Sequence, residues 1–207
     1  MSLPLSILQH ELGLTAKTLV DWNNFMREIC SNYVQDHLAP IGGRGKIVEI
    51  DESLFFKTKY NRGRRREKNW VFGGCERGNS KNCFFVCVEN RNRHTLIPLI
   101  KKHILPGSVI VSDEWAAYNG ISSVAGFDYV HWKVNHSLNF VNPSNQDAHT
   151  QTIESCWGRL KKVYRIRNGT SNQLFSSYMN QFIFQSRFPY PTTFGHILFY
   201  IHQDYPV

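Results

Sequence analysis

Three consecutive strand-like segments constrain the fold of this chain more than any other feature of its sequence. They begin at Ile47 (IVEI), Trp70 (WVFGGCE) and Cys83 (CFFVCVE), and all three are rich in β-branched and aromatic residues. The turn between the second and third segments, RGNSKN, is short and polar, as an antiparallel hairpin requires. We therefore expect a sheet that begins with antiparallel strands.

The elements that follow are a helix, two further strands and then helices. The sequence predicts a helix over His94–His103, a fourth strand in SVIVSD that ends at Asp113, a fifth strand in YVHWKV from Tyr129, and helices from about Thr152 and over Leu174–Phe184. The predicted fold class is α/β, with a mixed five-stranded sheet, three antiparallel strands first, and flanking helices.

A helical segment precedes this main domain. Apolar residues recur at steps of three and four from Thr15 to about Gln35, which predicts an amphipathic helix after a shorter one. The glycine-rich stretch HLAPIGGRGK then interrupts the pattern and is typical of a linker. We predict three parts, namely a helix-turn-helix-like segment over residues 1–40, the main domain over 46–188 and a helical C-terminal tail over 189–207.

The charge balance favours a polyanionic partner. The chain has 24 Lys and Arg against 16 Asp and Glu, which gives a formal net charge of +8. Such an excess suits nucleic acid better than an acidic protein or a neutral metabolite.

The cysteine pattern indicates a reducing compartment. Five cysteines occur without a CxxC pair, so neither a disulfide framework nor a zinc ribbon is expected. Cys83 and Cys87 fall on one face of the third segment by alternation, and we predict that both are buried. The N-terminus does not resemble a secretory signal and no apolar run reaches about 18 residues, so we expect a location in the nucleus of a eukaryote or otherwise in the cytoplasm.

Three acidic residues occupy positions that suit a metal site. Asp51 closes the first strand on the same face as Glu49. Asp113 ends the fourth strand, and Glu154 borders the apolar stripe of the next helix. Each also has an ordinary explanation, as part of a solvated loop, a helix cap and a surface helix start, respectively. Together, however, such carboxylates can converge on two Mg²⁺ ions, or on Mn²⁺, which prefer oxygen ligands.

Six short motifs carry a resemblance to a known family. Between about Lys46 and Arg165 the sequence contains IDESLF, KYNRGR, WVFGG, SDEWAAY, VNHSLNFVNP and AHTQTIESCWGRLK, in that order. These motifs resemble those of the Merlin-type DDE transposases and their bacterial insertion-sequence relatives. The resemblance implies a ribonuclease-H-like fold for the main domain, with Asp51, Asp113 and Glu154 as catalytic and metal-binding residues.

The resemblance also implies an activity and partners. The activity is metal-dependent cleavage of DNA strands and transfer of the freed 3′-hydroxyl at transposon ends, on terminal repeats and target DNA, by a homodimer or larger synaptic complex. Members of the family usually carry a zinc-binding segment ahead of this region, and because this sequence has none we expect no zinc. Glu52, Glu114 and Asp147 remain rival carboxylates. The alternative functions are a transposon-derived DNA-binding protein that does not transpose, and a ribonuclease-H-like nuclease.

Basic residues form the candidate DNA-binding set. A loop between the first two strands carries seven of them, Lys57, Lys59, Arg62, Arg64, Arg65, Arg66 and Lys68. A solvated loop or a nuclear-import patch would explain the same run of charge. Lys161 and Arg165 follow Glu154 along one side of the helix. His136 belongs to a family motif, although it could equally be a structural histidine.

Overall fold

A mixed five-stranded sheet is the main element of residues 39–176. The computed structural model describes residues 4–55, 69–135, 147–166 and 171–206. Its strands are β1 (Ile41–Gly42), β2 (Ile47–Phe55), β3 (Asn69–Glu76), β4 (Asn79–Val88), β5 (Ile104–Leu105), β6 (Val109–Asp113) and β7 (Val130–Val134). The sheet has the order β4-β3-β2-β6-β7, in which β2, β3 and β4 are antiparallel and β6 pairs parallel with both β2 and β7. This arrangement confirms the predicted α/β class with antiparallel strands first.

Six α-helices occur in the described part of the chain, α1 (Leu5–Leu12), α2 (Ala16–His37), α3 (Arg93–His103), α4 (Gln151–Ile166), α5 (Asn172–Arg187) and α6 (Thr193–Asp204). Both α3 and α4 begin one residue before their predicted starts. Asn92 explains the start of α3, because its side chain accepts a hydrogen bond from the amide of Thr95 at 2.9 Å. None of the helices in the described ranges is long and apolar enough to cross a membrane.

The predicted glycine-rich linker contains a short strand. β1 lies within it and pairs in parallel with β5, with Ile41 opposite Ile104. Strands of two residues leave no periodicity in a sequence, so the turn signals of this stretch were its only visible feature.

Helix α4 covers the face of β2 that carries Asp51. Its predicted apolar stripe is confirmed, since four residues at helical spacing are all buried: Ile153, Trp157, Leu160 and Tyr164. The ring of Phe55 in β2 lies 6.0 Å from that of Trp157 and 5.5 Å from that of Tyr164. Because side chains alternate along a strand, Phe55 shares its face with Asp51 and Glu49. The carboxylates of this face therefore lie under α4.

Residues 1–38 and 177–207 form a separate compact unit. In its core the ring of Tyr33 in α2 lies 5.2 Å from that of Phe184 and 5.0 Å from that of Tyr200. Thr15 caps α2 by accepting a hydrogen bond from the amide of Thr18 at 3.1 Å. The predicted domain boundaries at residues 40, 46 and 188 stay a prediction, as does a role of α1 and α2 in binding DNA.

The burial predicted for Cys87 is wrong. Cys83 is buried, whereas Cys87 is exposed on the same strand. β4 is an edge strand of the sheet, and Cys83 lies opposite the buried Cys75 while Cys87 lies nearer the end of the strand. Alternation shows that two side chains share a face, but it does not show how far along an edge strand that face is covered.

Candidate active site

Asp51 and Asp113 each lie two residues beyond the paired part of neighbouring parallel strands, β2 and β6. β2 and β6 pair with Ile47 opposite Val109 and with Glu49 opposite Val111. Continued by two residues, this register brings Asp51 opposite Asp113, and parallel partners at one level point to the same side of a sheet. Adjacent strands are about 4.8 Å apart. The register therefore directs the two predicted carboxylates to one side of the sheet, and the charge of Asp113 does act on Asp51, whose pKa it raises.

Each of the three predicted carboxylates accepts a hydrogen bond that orients it. The indole Nε1 of Trp157 donates to Oδ2 of Asp51 at 3.0 Å. The backbone amide of Trp115 donates to Oδ1 of Asp113 at 3.0 Å, and the hydroxyl of Thr150 donates to Oε1 of Glu154 at 2.9 Å. Trp157 lies in α4, and Thr150 is the residue directly before it. The start of this helix therefore helps to orient two of the three carboxylates.

The charges of Asp113 and Glu154 act on Asp51. The pKa of Asp51 is raised from 3.8 to about 6, first because burial penalises its ionised form and further because the charges of Asp113 and Glu154 lie nearby. Hydrogen bonds from the backbone of Glu52 and from Trp157 act in the opposite direction. A carboxylate that other negative charges oppose in this way is stabilised by a bound cation.

The donor set has the chemistry of a Mg²⁺ site. Carboxylate oxygens are the ligands that hard divalent cations prefer. With the side chains as they lie, however, no three His, Cys, Asp or Glu residues in the described ranges converge closely enough to hold an ion. The assignment of Asp51, Asp113 and Glu154 as metal ligands and catalytic residues therefore stays a prediction.

Of the rival carboxylates, Glu52 is committed to internal contacts. It alternates to the face of β2 opposite Asp51. Its carboxylate accepts a hydrogen bond from the hydroxyl of Tyr118 and lies 3.7 Å from the guanidinium of Arg91, and its side chain is 3% exposed. Burial raises the pKa of Glu52 to about 7, and the charges of Asp51 and Asp113 raise it further, whereas the hydrogen bond from Tyr118 and the charge of Arg91 lower it. These contacts fit a structural role better than a ligand role.

The other two rivals lie at the surface. Glu114 is exposed and accepts a hydrogen bond from the side-chain amide of Asn135 at 2.7 Å. Asp147 is also exposed, and its backbone carbonyl accepts a hydrogen bond from Arg77 at 2.5 Å.

Two contributors to the site were not predicted from the sequence. Trp157 was interpreted only as part of the apolar stripe, but its indole N–H also reaches Asp51. Glu49 was placed on the face of Asp51 without a role, and it proves to be fully buried and bonded to the start of α4. The sequence did offer one signal for Glu49, namely its position between two apolar residues, Val48 and Ile50, which are both buried. A carboxylate in such a position needs hydrogen-bond partners inside the protein.

The candidate DNA-binding residues are described only in part. Arg165 of α4 is exposed, and the ammonium of Lys161 lies 5.6 Å from the ring centroid of Phe55. Helical spacing places both on the side of α4 that carries Glu154. The remaining candidates lie outside the described residues and stay predictions: Lys57, Lys59, Arg62, Arg64, Arg65, Arg66, Lys68 and His136.

Comparison with known proteins identifies the family of the domain that contains this site. The family model described as the ISXO2-like transposase domain matches residues 39–187, more than two thirds of the chain, and that range includes every strand of the sheet. The chain is also 26% identical over 98 residues, 47% of its length and 75% of the relative's, to an uncharacterized transposase-like protein of Haemophilus influenzae. A transposase of the bacterial insertion-sequence type agrees with the resemblance carried by the sequence motifs. The chain therefore belongs to the ISXO2-like transposase domain family.

Proposed function

We propose that this chain is a DDE transposase that cleaves DNA strands at the ends of a mobile element and joins the freed 3′-hydroxyl to target DNA. One observation carries the proposal, namely that the charges of Asp113 and Glu154, which come from a neighbouring strand and from α4, both act on Asp51. We further propose that the sheet is of the ribonuclease-H-like type and that the Merlin-type transposases are relatives. The element order and the strand order are compatible with both.

In this proposal Asp51, Asp113 and Glu154 hold two Mg²⁺ ions, with Mn²⁺ as a substitute. Such ions, when bound, activate a water or a 3′-hydroxyl for in-line attack on phosphorus and stabilise the departing oxygen. The protein's own part is to hold the carboxylates in place. Trp157 fixes Asp51, and the amide of Trp115 fixes Asp113.

The proposed partner is DNA. Lys161 and Arg165 extend along α4 from Glu154, so cations follow the carboxylates in the direction in which a phosphate backbone could run. Contacts of this kind give affinity and salt dependence without reading sequence. We propose that the basic residues between 57 and 68 add to this surface. Because two transposon ends have to be paired, we also propose a homodimer or larger assembly.

The test is a cleavage and joining assay on a labelled duplex that carries the sequence flanking the gene, with Mg²⁺ or Mn²⁺. Wild type should give metal-dependent nicked and joined products, and Asp51→Asn or Glu154→Gln should give none. Both variants should bind the duplex at least as tightly as wild type, since each removes a negative charge from a site that faces phosphates. Glu114→Gln is the matched control, because it neutralises an exposed carboxylate next to Asp113 and should leave the products unchanged.

Four outcomes would overturn parts of the proposal. Products from Asp51→Asn would remove Asp51 from the catalytic set, and loss of products in Glu114→Gln would make Glu114 the better candidate. Binding without products in wild type would favour a transposon-derived DNA-binding protein. Hydrolysis of RNA:DNA hybrids without any joining would favour the nuclease.

A further inference from the structure

Glu49 is a buried carboxylate that binds the start of α4. Its side chain is 0% exposed. Its Oε2 accepts hydrogen bonds from the backbone amides of Thr152 at 2.7 Å and Ile153 at 3.1 Å, and its Oε1 accepts one from the hydroxyl of Thr152 at 2.9 Å. The first amides of a helix have no partner inside the helix, and negative charge there is favoured by the helix dipole. A strand residue thus supplies α4 with the acceptor that an N-cap normally provides.

Arg77, in the turn between β3 and β4, completes this arrangement. Its Nε donates to Oε1 of Glu49 at 2.8 Å. Its two terminal nitrogens donate to the backbone carbonyls of Asp147 at 2.5 Å and His149 at 2.8 Å. The guanidinium therefore neutralises the buried carboxylate and also holds the segment that leads into α4.

Strand β2 consequently holds α4 at two points. Glu49 binds the helix at residues 152 and 153, and Asp51 accepts the indole N–H of Trp157 one turn further on. Glu154 lies between these two points. A helix that slid or turned by one residue would move by about 1.5 Å and 100°, so the bonds of Glu49 limit where Glu154 can lie.

We propose that Glu49 and Arg77 are positioning residues that set the placement of Glu154 relative to Asp51 and, through it, the affinity of the site for a divalent cation. This inference rests on the proposed function, because it assumes that Asp51 and Glu154 bind the cation. In this proposal Glu49 and Arg77 are not ligands themselves and act through α4. Partners that orient a metal ligand change metal affinity about 10- to 100-fold when they are removed.

Calorimetric titration of the full chain with Mn²⁺ tests the inference. Glu49→Gln should raise the dissociation constant for Mn²⁺ by about tenfold or more, because a neutral amide cannot accept all of these bonds and pair with Arg77. Glu76→Gln is the matched control. Glu76 is also a buried glutamate, at 5% exposed, but it binds Gly42, Lys46 and Asn82 rather than α4. Its substitution should leave Mn²⁺ affinity within about twofold.

A double-mutant cycle separates positioning from general loosening. If Glu49 acts through Glu154, then Glu49→Gln should have little further effect on Mn²⁺ affinity in a Glu154→Gln background. An equal loss in both backgrounds, or unchanged affinity in a folded Glu49→Gln, overturns the inference. If Glu49→Gln does not fold, Arg77→Lys replaces it, since lysine keeps the charge but not the fork that reaches both carbonyls. Unchanged affinity in that variant has the same consequence.

Asp51→Asn distinguishes this inference from the proposed function. If Asp51→Asn binds Mn²⁺ as wild type does, the proposed metal site itself is wrong. If Asp51→Asn loses Mn²⁺ binding while Glu49→Gln retains it, the site stands and only the positioning role fails.

Discussion

Gly73→Ala should displace Trp157 from Asp51 through a contact of one methyl group. Gly73 lies directly opposite Asp51 on β3. A Cβ added at Gly73 would lie 2.7 Å from Cη2 of Trp157 and 2.7 Å from Cδ1 of Phe85, whereas ordinary contacts begin at 3.4 Å. The indole of Trp157 therefore occupies space that is open only because residue 73 has no side chain. In Gly73→Ala the rings of Trp157 and Phe85 would each have to move by about 0.7 Å.

The expected cost follows from this overlap. Forcing a methyl group into a packed core costs about 1–3 kcal/mol, and relief of the conformational freedom of glycine returns about 0.5–1 kcal/mol. The free energy of unfolding in urea should thus fall by up to about 2.5 kcal/mol. The same movement lengthens the 3.0 Å bond between Trp157 and Asp51, so the indole N–H resonance of Trp157, assigned with a Trp157→Phe sample, should shift.

Gly74→Ala is the matched control. Its Cβ would meet Phe84 at 2.5 Å and Ile50 at 3.4 Å, on the other face of the same strand. It should destabilise the protein by a comparable amount but leave the indole resonance of Trp157 in place. An unshifted resonance in Gly73→Ala, or an equal shift in both variants, would refute the reasoning.

Three other substitutions have expected outcomes of their own. Trp157→Phe keeps a ring in α4 but removes the donor to Asp51, so the rate of DNA cleavage should fall by about tenfold, and an unchanged rate would contradict an orienting role. Asn92→Ala removes the cap of α3 and should lower the free energy of unfolding by about 1 kcal/mol without changing cleavage; a loss below about 0.3 kcal/mol would argue against the cap. Burial lowers the pKa of His103 from 6.5 to about 4. Between these two pH values the unfolded chain binds a proton at this residue and the folded chain does not, so the free energy of unfolding decreases as the pH falls from 6.5 towards 4. Between pH 7 and pH 4.5 the free energy of unfolding, measured in urea, should decrease less in His103→Gln than in wild type, by on the order of 1–3 kcal/mol. The same pH dependence in both proteins would contradict the assignment to His103.

The sequence predicted the elements whose signals are local. The apolar stripe of α4 repeats at helical spacing and is buried as expected, and Thr15 caps α2 where the helical pattern begins. The role of Glu49 was not predictable in this way, because its partner Thr152 lies 103 residues further along the chain. Alternation showed which face Glu49 occupies, but no local pattern indicates which element covers that face.

The position of Asp113 relative to Asp51 depends on the register between β2 and β6, which is equally non-local. The two residues are 62 positions apart, and β2 and β6 pair with that same offset, as Ile47 does with Val109. A shift of one residue between the strands would turn Asp113 to the opposite face of the sheet, away from Asp51. The register is held at the far end of the strands, where the amide of Val109 donates to the carbonyl of Lys46 at 3.0 Å. Contacts remote from the carboxylates thus decide whether they meet, so an insertion or deletion of one residue between Val109 and Asp113 should abolish the site more completely than most single substitutions within it.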